Sequence, residues 1–344
     1  MIFQHTKYSY KKFYWLIMAR LLDFLTWPFS FFIKEENINQ MNLPGDCRIL
    51  ITATGGIGDA VLLEPFIRHL KNKFINCHID VISSLSAKDV FSAISSIDKI
   101  IDFPDKDFYI KRWLSFWNNT SLKDEYDLAI DSKGDPVAIF YFLTKRIKKR
   151  IGFKNGGGES LLNYSLDANI LVPKHEQYLM FFGNESLNYK PFLKIEPLCL
   201  NYDKPVAVIH LGAGEFNKIW SLDLWQELIV YLSTDYKIIM IGSKNDQSLD
   251  KNFSDNTKDK YLTTPTDSSL QYIMRIIAGA KIFIGHDTGL THIAAALGIK
   301  TICLFSLVHE RVIWAPNANV VLEFGGKNGL NLSVREVIQT INSL

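Results

Sequence analysis

GHDTGLTHIAAALG, residues 285–298, carries an apolar strand (AKIFIG, 280–285) through an Asp–Thr–Gly turn into an alanine-rich helix. Packing alone asks for neither the acid nor the two histidines crowded into this junction. A strand that passes through small residues straight into a helix is the repeating unit of parallel α/β sheets. The N–H groups of Thr288, Gly289 and Leu290 fall where the unpaired donors of the new helix belong, and such a helix start takes phosphate oxygens at little cost. His286 and His292 stand six residues apart with no third ligand close by in the sequence, which is poor spacing for zinc. His292 reads instead as a residue that holds the turn or donates to a nucleotide.

Outward from this junction the same alternation repeats. KPVAVIHLGAG (204–214), YKIIMIG and KTICLFS are strand-like, with helical patterns between them and a closing helix in REVIQTINSL. An earlier series opens with CRILITA (47–53) and continues through CHIDVISS, IDKIIDF and YDLAIDS. Two α/β halves follow, joined somewhere in 160–204: an N-terminal one over 47–180 and a C-terminal one over 200–344. KRIKKR (145–150), five positives in six positions, reads as the close of a helix, and IGFKNGGGE (151–159) as a loop.

Each half opens with a strand leading into a small-residue loop. TGGIGDA places Gly55, Gly56 and Gly58 ahead of Asp59 at a helix start. Glycine admits close backbone approach to a ligand. Asp59 has two readings: a helix cap that accepts free N–H groups, or a carboxylate placed to take a proton. The loop is neither GxGxxG nor GxxxxGK[ST], and Asp80 lies inside its strand rather than after it, so a nicotinamide oxidoreductase or P-loop enzyme is disfavoured. In the second half, HLGAGEFNKIW (210–220) sets Lys218 on a loop after a strand, where an ammonium can neutralise phosphate.

Composition bounds the rest. The chain has 344 residues, 47% of them hydrophobic, enough for two cores, and a formal charge of +2 that argues against a nucleic-acid partner. Cys47, Cys77, Cys199 and Cys303 form no CxxC pair, so neither a metal knuckle nor a disulfide framework is expected. Residues 1–40 form a separate, aromatic-rich segment. On a helical wheel Lys12, Arg20, Asp23, Thr26, Ser30 and Lys34 fall within an arc of about 120°, with apolar side chains over most of the remainder. That pattern, with Trp15 and Trp27, predicts an in-plane membrane helix with a thin wet face, bent or broken at Pro28; docking against protein is the competing reading.

These residues resemble glycosyltransferase family 9, the ADP-heptose:lipopolysaccharide heptosyltransferases. The matching pieces are GGIGDAVLLEPFIRHL (55–70), YDLAIDSKG (126–134) with RIGF (150–153), HLGAGEFNKIWSLDLWQEL (210–228) and HDTGLTHIAAALG (286–298), in the family's order and from about Cys47 onward. The resemblance implies a GT-B fold: two Rossmann-like α/β/α domains facing a central cleft, here with an N-terminal amphipathic helical extension. It implies an inverting, metal-independent transfer with no cofactor, from a nucleotide-sugar such as ADP-heptose to a lipopolysaccharide core or other lipid-linked saccharide. By the same resemblance Asp59 is the catalytic base, Lys218 a phosphate ligand, and Asp246 a residue near the ribose or base. Asp287 falls near the donor sugar, Thr288 and Gly289 at the diphosphate, and His292 is the family's histidine after the turn.

Lys133, Arg146, Lys149 and Arg150 are candidates for reading an acidic acceptor, a solvated face being the other possibility. The expected setting is the cytoplasmic face of the inner membrane. One departure bears on the sugar: a Gly-Pro-Thr loop common in the family is replaced by Ser306 and Leu307, followed by His309, Glu310 and Arg311. A different nucleotide-hexose used in surface polysaccharide synthesis, or an inactive membrane-surface scaffold, are the alternatives.

Overall fold

The computed structural model describes residues 13–104, 109–119, 122, 125–168, 170–183, 189–307, 311–325 and 331–344. The chain divides into two compact units, Met1–Tyr189 and Lys190–Leu344, the break falling inside the expected joining region.

The first unit is built on six strands: β1 (Arg48–Ala53), β2 (His78–Ser84), β3 (Lys99–Phe103), β4 (Leu128–Asp131), β5 (Lys149–Phe153) and β6 (Tyr164–Leu166). All pair in parallel, in the order β3-β2-β1-β4-β5-β6. β1 is buried along nearly its whole length, as a central parallel strand covered on both faces must be. The second unit repeats the plan with β7 (Val206–His210), β8 (Lys237–Met240), β9 (Tyr261–Thr263), β10 (Ile282–His286), β11 (Lys300–Ser306) and β12 (Val320–Phe324). Its order, β12-β11-β10-β7-β8-β9, is the same winding. In each unit the chain starts centrally, winds to one edge, then returns to wind to the other. The connections leaving β1 and β4, and those leaving β7 and β10, therefore run to opposite sides of their sheet, and the place between them is the usual ligand position in such sheets.

Three features differ from the sequence expectation. The KRIKKR run does not close a helix. That helix, Pro136–Thr144, ends earlier, Arg146 turns the chain with φ 57°, and Lys149 and Arg150 belong to β5. Residues 151–153, expected as loop, complete β5, and the short strands β6, β9 and β12 lie where no strand is expected from the sequence.

The third concerns the N-terminal segment. An α-helix, Phe13–Thr26, gives way at Pro28 to a 3-10 turn, Trp27–Phe32, as expected from a residue that cannot continue the ladder. Its polar strip is only partly wet. Asp23 accepts the Gly158 N–H at 2.6 Å, and Thr26 meets Ser160 Oγ at 2.6 Å. Gly157 (φ 89°) lies so close beneath the helix that a Cβ there would sit 2.8 Å from the Ala19 carbonyl oxygen. The glycine-rich 156–158 loop is thus a cradle for this helix. The aromatic side is left outward: Phe24, Phe31 and Phe32 are 76%, 72% and 87% exposed. Arg20, Ser30 and Lys34 are also exposed. Lys12 and the Trp15 side chain lie outside the described residues.

Candidate functional site

In the first unit the loop after β1 enters the helix Ile57–Lys73, with Gly56 at its N-cap and Gly58 in its first turn. Asp59 folds back over this loop. Its Oδ2 accepts the Gly56 N–H at 3.0 Å, and a Cβ on Gly55 would lie 2.3 Å from the same oxygen. Glycine at 55 is therefore a requirement of close approach. Ser84 Oγ, at the end of β2, donates to the Gly55 carbonyl at 2.6 Å and pins the loop. Asp59 caps its helix, but only through Oδ2. That oxygen also faces Lys133 Nζ at 3.7 Å, while Oδ1 has no hydrogen-bond or ion-pair partner among the described residues.

Lys133 follows β4, whose last residue is Asp131. This buried carboxylate accepts from Thr52 Oγ1 at 3.1 Å and from the Lys133 and Asp135 N–H groups at 3.3 and 2.5 Å. Burial, then the neighbouring Asp135, pushes its pKa up to about 7. Asp135 in turn caps the helix Pro136–Thr144 by accepting the Val137 N–H at 2.9 Å.

Lys174 opens the short helix Lys174–Leu179, which packs along the Asp59 helix. It is only 7% exposed. Its ammonium sits 3.9 Å over the Phe153 ring at the end of β5 and donates to Gln177 Oε1 at 3.0 Å. Burial pulls its pKa down to about 8, against the opposing field of Asp59. Asp131 and Lys174 were not singled out from the sequence, where an acid ending a strand and a lysine in a polar connection carry no distinguishing spacing.

The acceptor candidates separate. Lys133 stands beside Asp59, and Arg146 is exposed on its turn. Lys149 donates to the Asn42 carbonyl. Arg150 is buried, and its guanidinium serves the Leu161 carbonyl at 2.8 Å and those of Ile147 and Lys148. Burial lowers its pKa. Arg150 closes backbone inside the fold and is not presented to an acceptor.

In the second unit His286 ends β10 and is fully buried. Its Nε2 accepts the Trp220 N–H at 2.8 Å, and Nδ1 lies 3.2 Å from the Gly212 carbonyl. Burial, reinforced by His210, pulls its pKa down to about 3, so the ring is neutral and ties down both ends of the 211–220 loop. That loop carries Lys218 in a 3-10 turn, Phe216–Lys218. The Lys218 ammonium has no ion pair among the described residues.

After His286 the chain turns through Asp287 and Thr288 into the helix Gly289–Ala296. His292 Nε2 lies 3.6 Å from Asp287 Oδ1. Thr288 is the N-cap residue, yet its side chain makes no capping bond. Ser243, Ser254, Ser269, Ser333 and Asp135 all cap their own helices by side chain in this chain. The N–H groups of Gly289 and Leu290 have no acceptor among the described residues.

Asp246 sits in the first turn of Lys244–Gln247 and accepts from Ser243 N and Oγ at 2.8 and 2.7 Å. Burial opposes its ionisation, but His210 and Ser243 outweigh it and draw the pKa down to about 2. His210, at the end of β7, touches both Asp246 and Thr288, and so links two motifs that the sequence leaves apart. Of the divergent loop, Ser306 is buried with Oγ 3.5 Å from the Asn217 carbonyl, Leu307 donates to the Phe324 carbonyl, and Arg311 pairs with Glu323. His309 and Glu310 lie outside the described residues.

A family model described as glycosyltransferase family 9 (heptosyltransferase) matches residues 116–329. Lipooligosaccharide heptosyltransferase 2 of Haemophilus influenzae is 24% identical over 287 residues, covering 75% of this chain and 82% of that protein. Among solved structures, Escherichia coli ADP-heptose lipopolysaccharide heptosyltransferase II superposes with a TM-score of 0.72 at 18% identity, over 86% of this chain and 98% of that one. Escherichia coli heptosyltransferase WaaC with ADP gives a TM-score of 0.66 at 21% identity, over 86% and 99%.

Proposed function

This chain belongs to glycosyltransferase family 9, and on that premise we propose that it transfers heptose, or a related sugar, from an ADP-sugar to a lipopolysaccharide core or other lipid-linked saccharide. The observation that carries the reading is the uncapped start of the helix Gly289–Ala296, whose free amides follow the Asp287 carboxylate. Amides of this kind hold phosphate oxygens, with the helix field adding up to ~2 kcal/mol in favourable sites.

In the proposed reaction the diphosphate rests on Thr288 and Gly289, Lys218 meets its remaining charge, Asp287 faces the sugar, and Asp246 lies toward the ribose or base. Asp59 takes the proton of the acceptor hydroxyl on Oδ1 while Oδ2 stays anchored to Gly56. The acceptor oxygen bonds to the anomeric carbon as the carbon–phosphate oxygen bond breaks. Configuration inverts, and the nucleoside diphosphate leaves with the bond's electrons. Lys218 and the helix amides stabilise the charge that develops on it. No metal is assigned to the step. Lys133 and Arg146 stand as candidates for the acidic groups of the acceptor.

The N-terminal segment supports a place on the inner-membrane surface. A helix that docks by Ala19, Asp23 and Thr26 and turns Phe24, Phe31 and Phe32 outward presents the apolar face that an in-plane membrane helix buries in lipid. No helix among the described residues is long and apolar enough to cross a bilayer.

The test is turnover of ADP-heptose, read first as donor hydrolysis and then as transfer to a lipid-linked core saccharide, with and without EDTA. Lys218→Ala should weaken ADP binding about ten-fold, the order of one charge-assisted contact. Unchanged calorimetric binding removes Lys218 from the site. Activity abolished by EDTA and restored by a divalent metal refutes the metal-independent step.

A further inference from the structure

The donor site proposed above needs bare amides at the start of the helix Gly289–Ala296, and one side chain outside that site accounts for them. The Thr288 backbone has the extended geometry of an N-cap, with φ −142° and ψ 167°. A threonine there ordinarily turns its hydroxyl onto an N–H of the first helical turn. Instead, Thr288 Oγ1 lies 3.3 Å from Nδ1 of His210. His210 ends β7, the sheet neighbour of β10, and is 5% exposed. The far side of its ring has Nε2 3.6 Å from Asp246 Oδ2. Asp246 is fixed by the N–H and hydroxyl of Ser243. Gly212 makes room, since a Cβ there would lie 2.9 Å from His210 Nε2 and 1.9 Å from Asp246 Oδ1. A chain of contacts, Ser243–Asp246–His210–Thr288, thus runs across the ends of the central strands.

We infer that His210 is a positioning residue that holds the Thr288 hydroxyl away from its own helix, so that the amides of Gly289 and Leu290 stay open to the donor diphosphate. The contact forms in either tautomer of the ring, because the hydroxyl both donates and accepts. Remove the Nδ1 contact and a rotation about one bond lets Oγ1 cap the helix. A diphosphate must then displace that cap. Asp246 acts one step further back by fixing the ring. The inference rests on the proposed donor reading and adds to it a residue that touches no substrate.

Asparagine and glutamine divide the imidazole between them. At position 210 the amide of Asn overlies Nδ1 and keeps the Thr288 contact, whereas that of Gln overlies Nε2 and keeps Asp246. Calorimetric titration with ADP is made on the parent, His210→Asn and His210→Gln, each also combined with Thr288→Val. The Asn variant should bind within two-fold of the parent, and the Gln variant about five-fold more weakly, the equilibrium factor for displacing one side-chain cap. With Thr288→Val no hydroxyl is left to cap, and the two variants should bind alike. Equal affinities in the native background overturn the inference, as does a Gln deficit that persists beside Thr288→Val. A parent that binds no ADP refutes the transferase reading itself and this inference with it. A parent that binds ADP while the Asn and Gln variants fail to separate leaves that reading standing and removes only the role of His210.

Discussion

Asp59 caps a helix and is also the proposed base, and Asp59→Asn separates the two. Asparagine keeps a carbonyl oxygen for the Gly56 N–H that Oδ2 now accepts at 3.0 Å, so the cap survives. It loses the ion pair with Lys133 at 3.7 Å, whose side chains are 43% and 29% exposed; a pair so open to solvent is worth about 0–1 kcal/mol. The stability change should therefore stay below about 1 kcal/mol, or roughly 2–4 °C in Tm for a unit of this size. Loss of the general base is a different order of effect, about 10²–10⁴ in turnover, equivalent to roughly 3–5 kcal/mol in the barrier. Asp59→Ala removes the cap as well and should cost about a further 1 kcal/mol of stability. Thermal denaturation of both variants, with initial rates of sugar transfer at saturating donor, reads the two quantities separately. Turnover of Asp59→Asn within about three-fold of the parent, alongside a lowered Tm for Asp59→Ala, would make Asp59 a cap and nothing more.

Three other outcomes follow from the geometry. Burial takes the Lys174 pKa from its usual 10.5 to about 8, so between these values the unfolded chain binds more protons and folded stability rises with pH. Relative to Lys174→Met, the parent should gain up to about 3 kcal/mol from pH 8 to 10.5 in urea denaturation; parallel curves for the two proteins exclude a buried ammonium. Replacing Phe31 and Phe32 by Asp should cut sedimentation with anionic phospholipid vesicles at least ten-fold while leaving Tm unchanged, since both rings are already outside the core. Equal sedimentation would assign the aromatic face to something other than lipid. Gly157→Ala places a Cβ 2.8 Å from the Ala19 carbonyl oxygen at φ 89°, which should loosen the N-terminal helix and speed chymotryptic cleavage around Phe24–Phe32; an unaltered cleavage rate removes the cradle.

The strongest sequence signals were unbroken apolar runs. β1 and β10 are continuous apolar runs bounded by small residues, and both stand as written. The three-residue strands β6 and β9 are too short for periodicity to register. A wheel separates the faces of the N-terminal helix but does not say which face meets protein. The two glycines that settle this, Gly157 and Gly158, lie more than a hundred residues away. KRIKKR shows charge without showing that Arg150 turns inward to serve three carbonyls. His210 was in view inside HLGAG, yet its link to Asp246 and Thr288 exists only once β7 and β10 lie side by side. Strand order, which sequence does not print, brought these groups together.

The repeated winding of the two sheets also gives the molecule a sign. At the same topological place, after the fourth strand of each unit, one helix start is sealed by its own carboxylate, Asp135 on the Val137 N–H, and the other carries Thr288, whose hydroxyl lies at His210 instead. A start sealed by a carboxylate repels an anion, and a bare one attracts it. Two units that share one strand order thereby differ in what this position can hold. Capping chemistry at this position, rather than any difference in strand order, tells the two units apart.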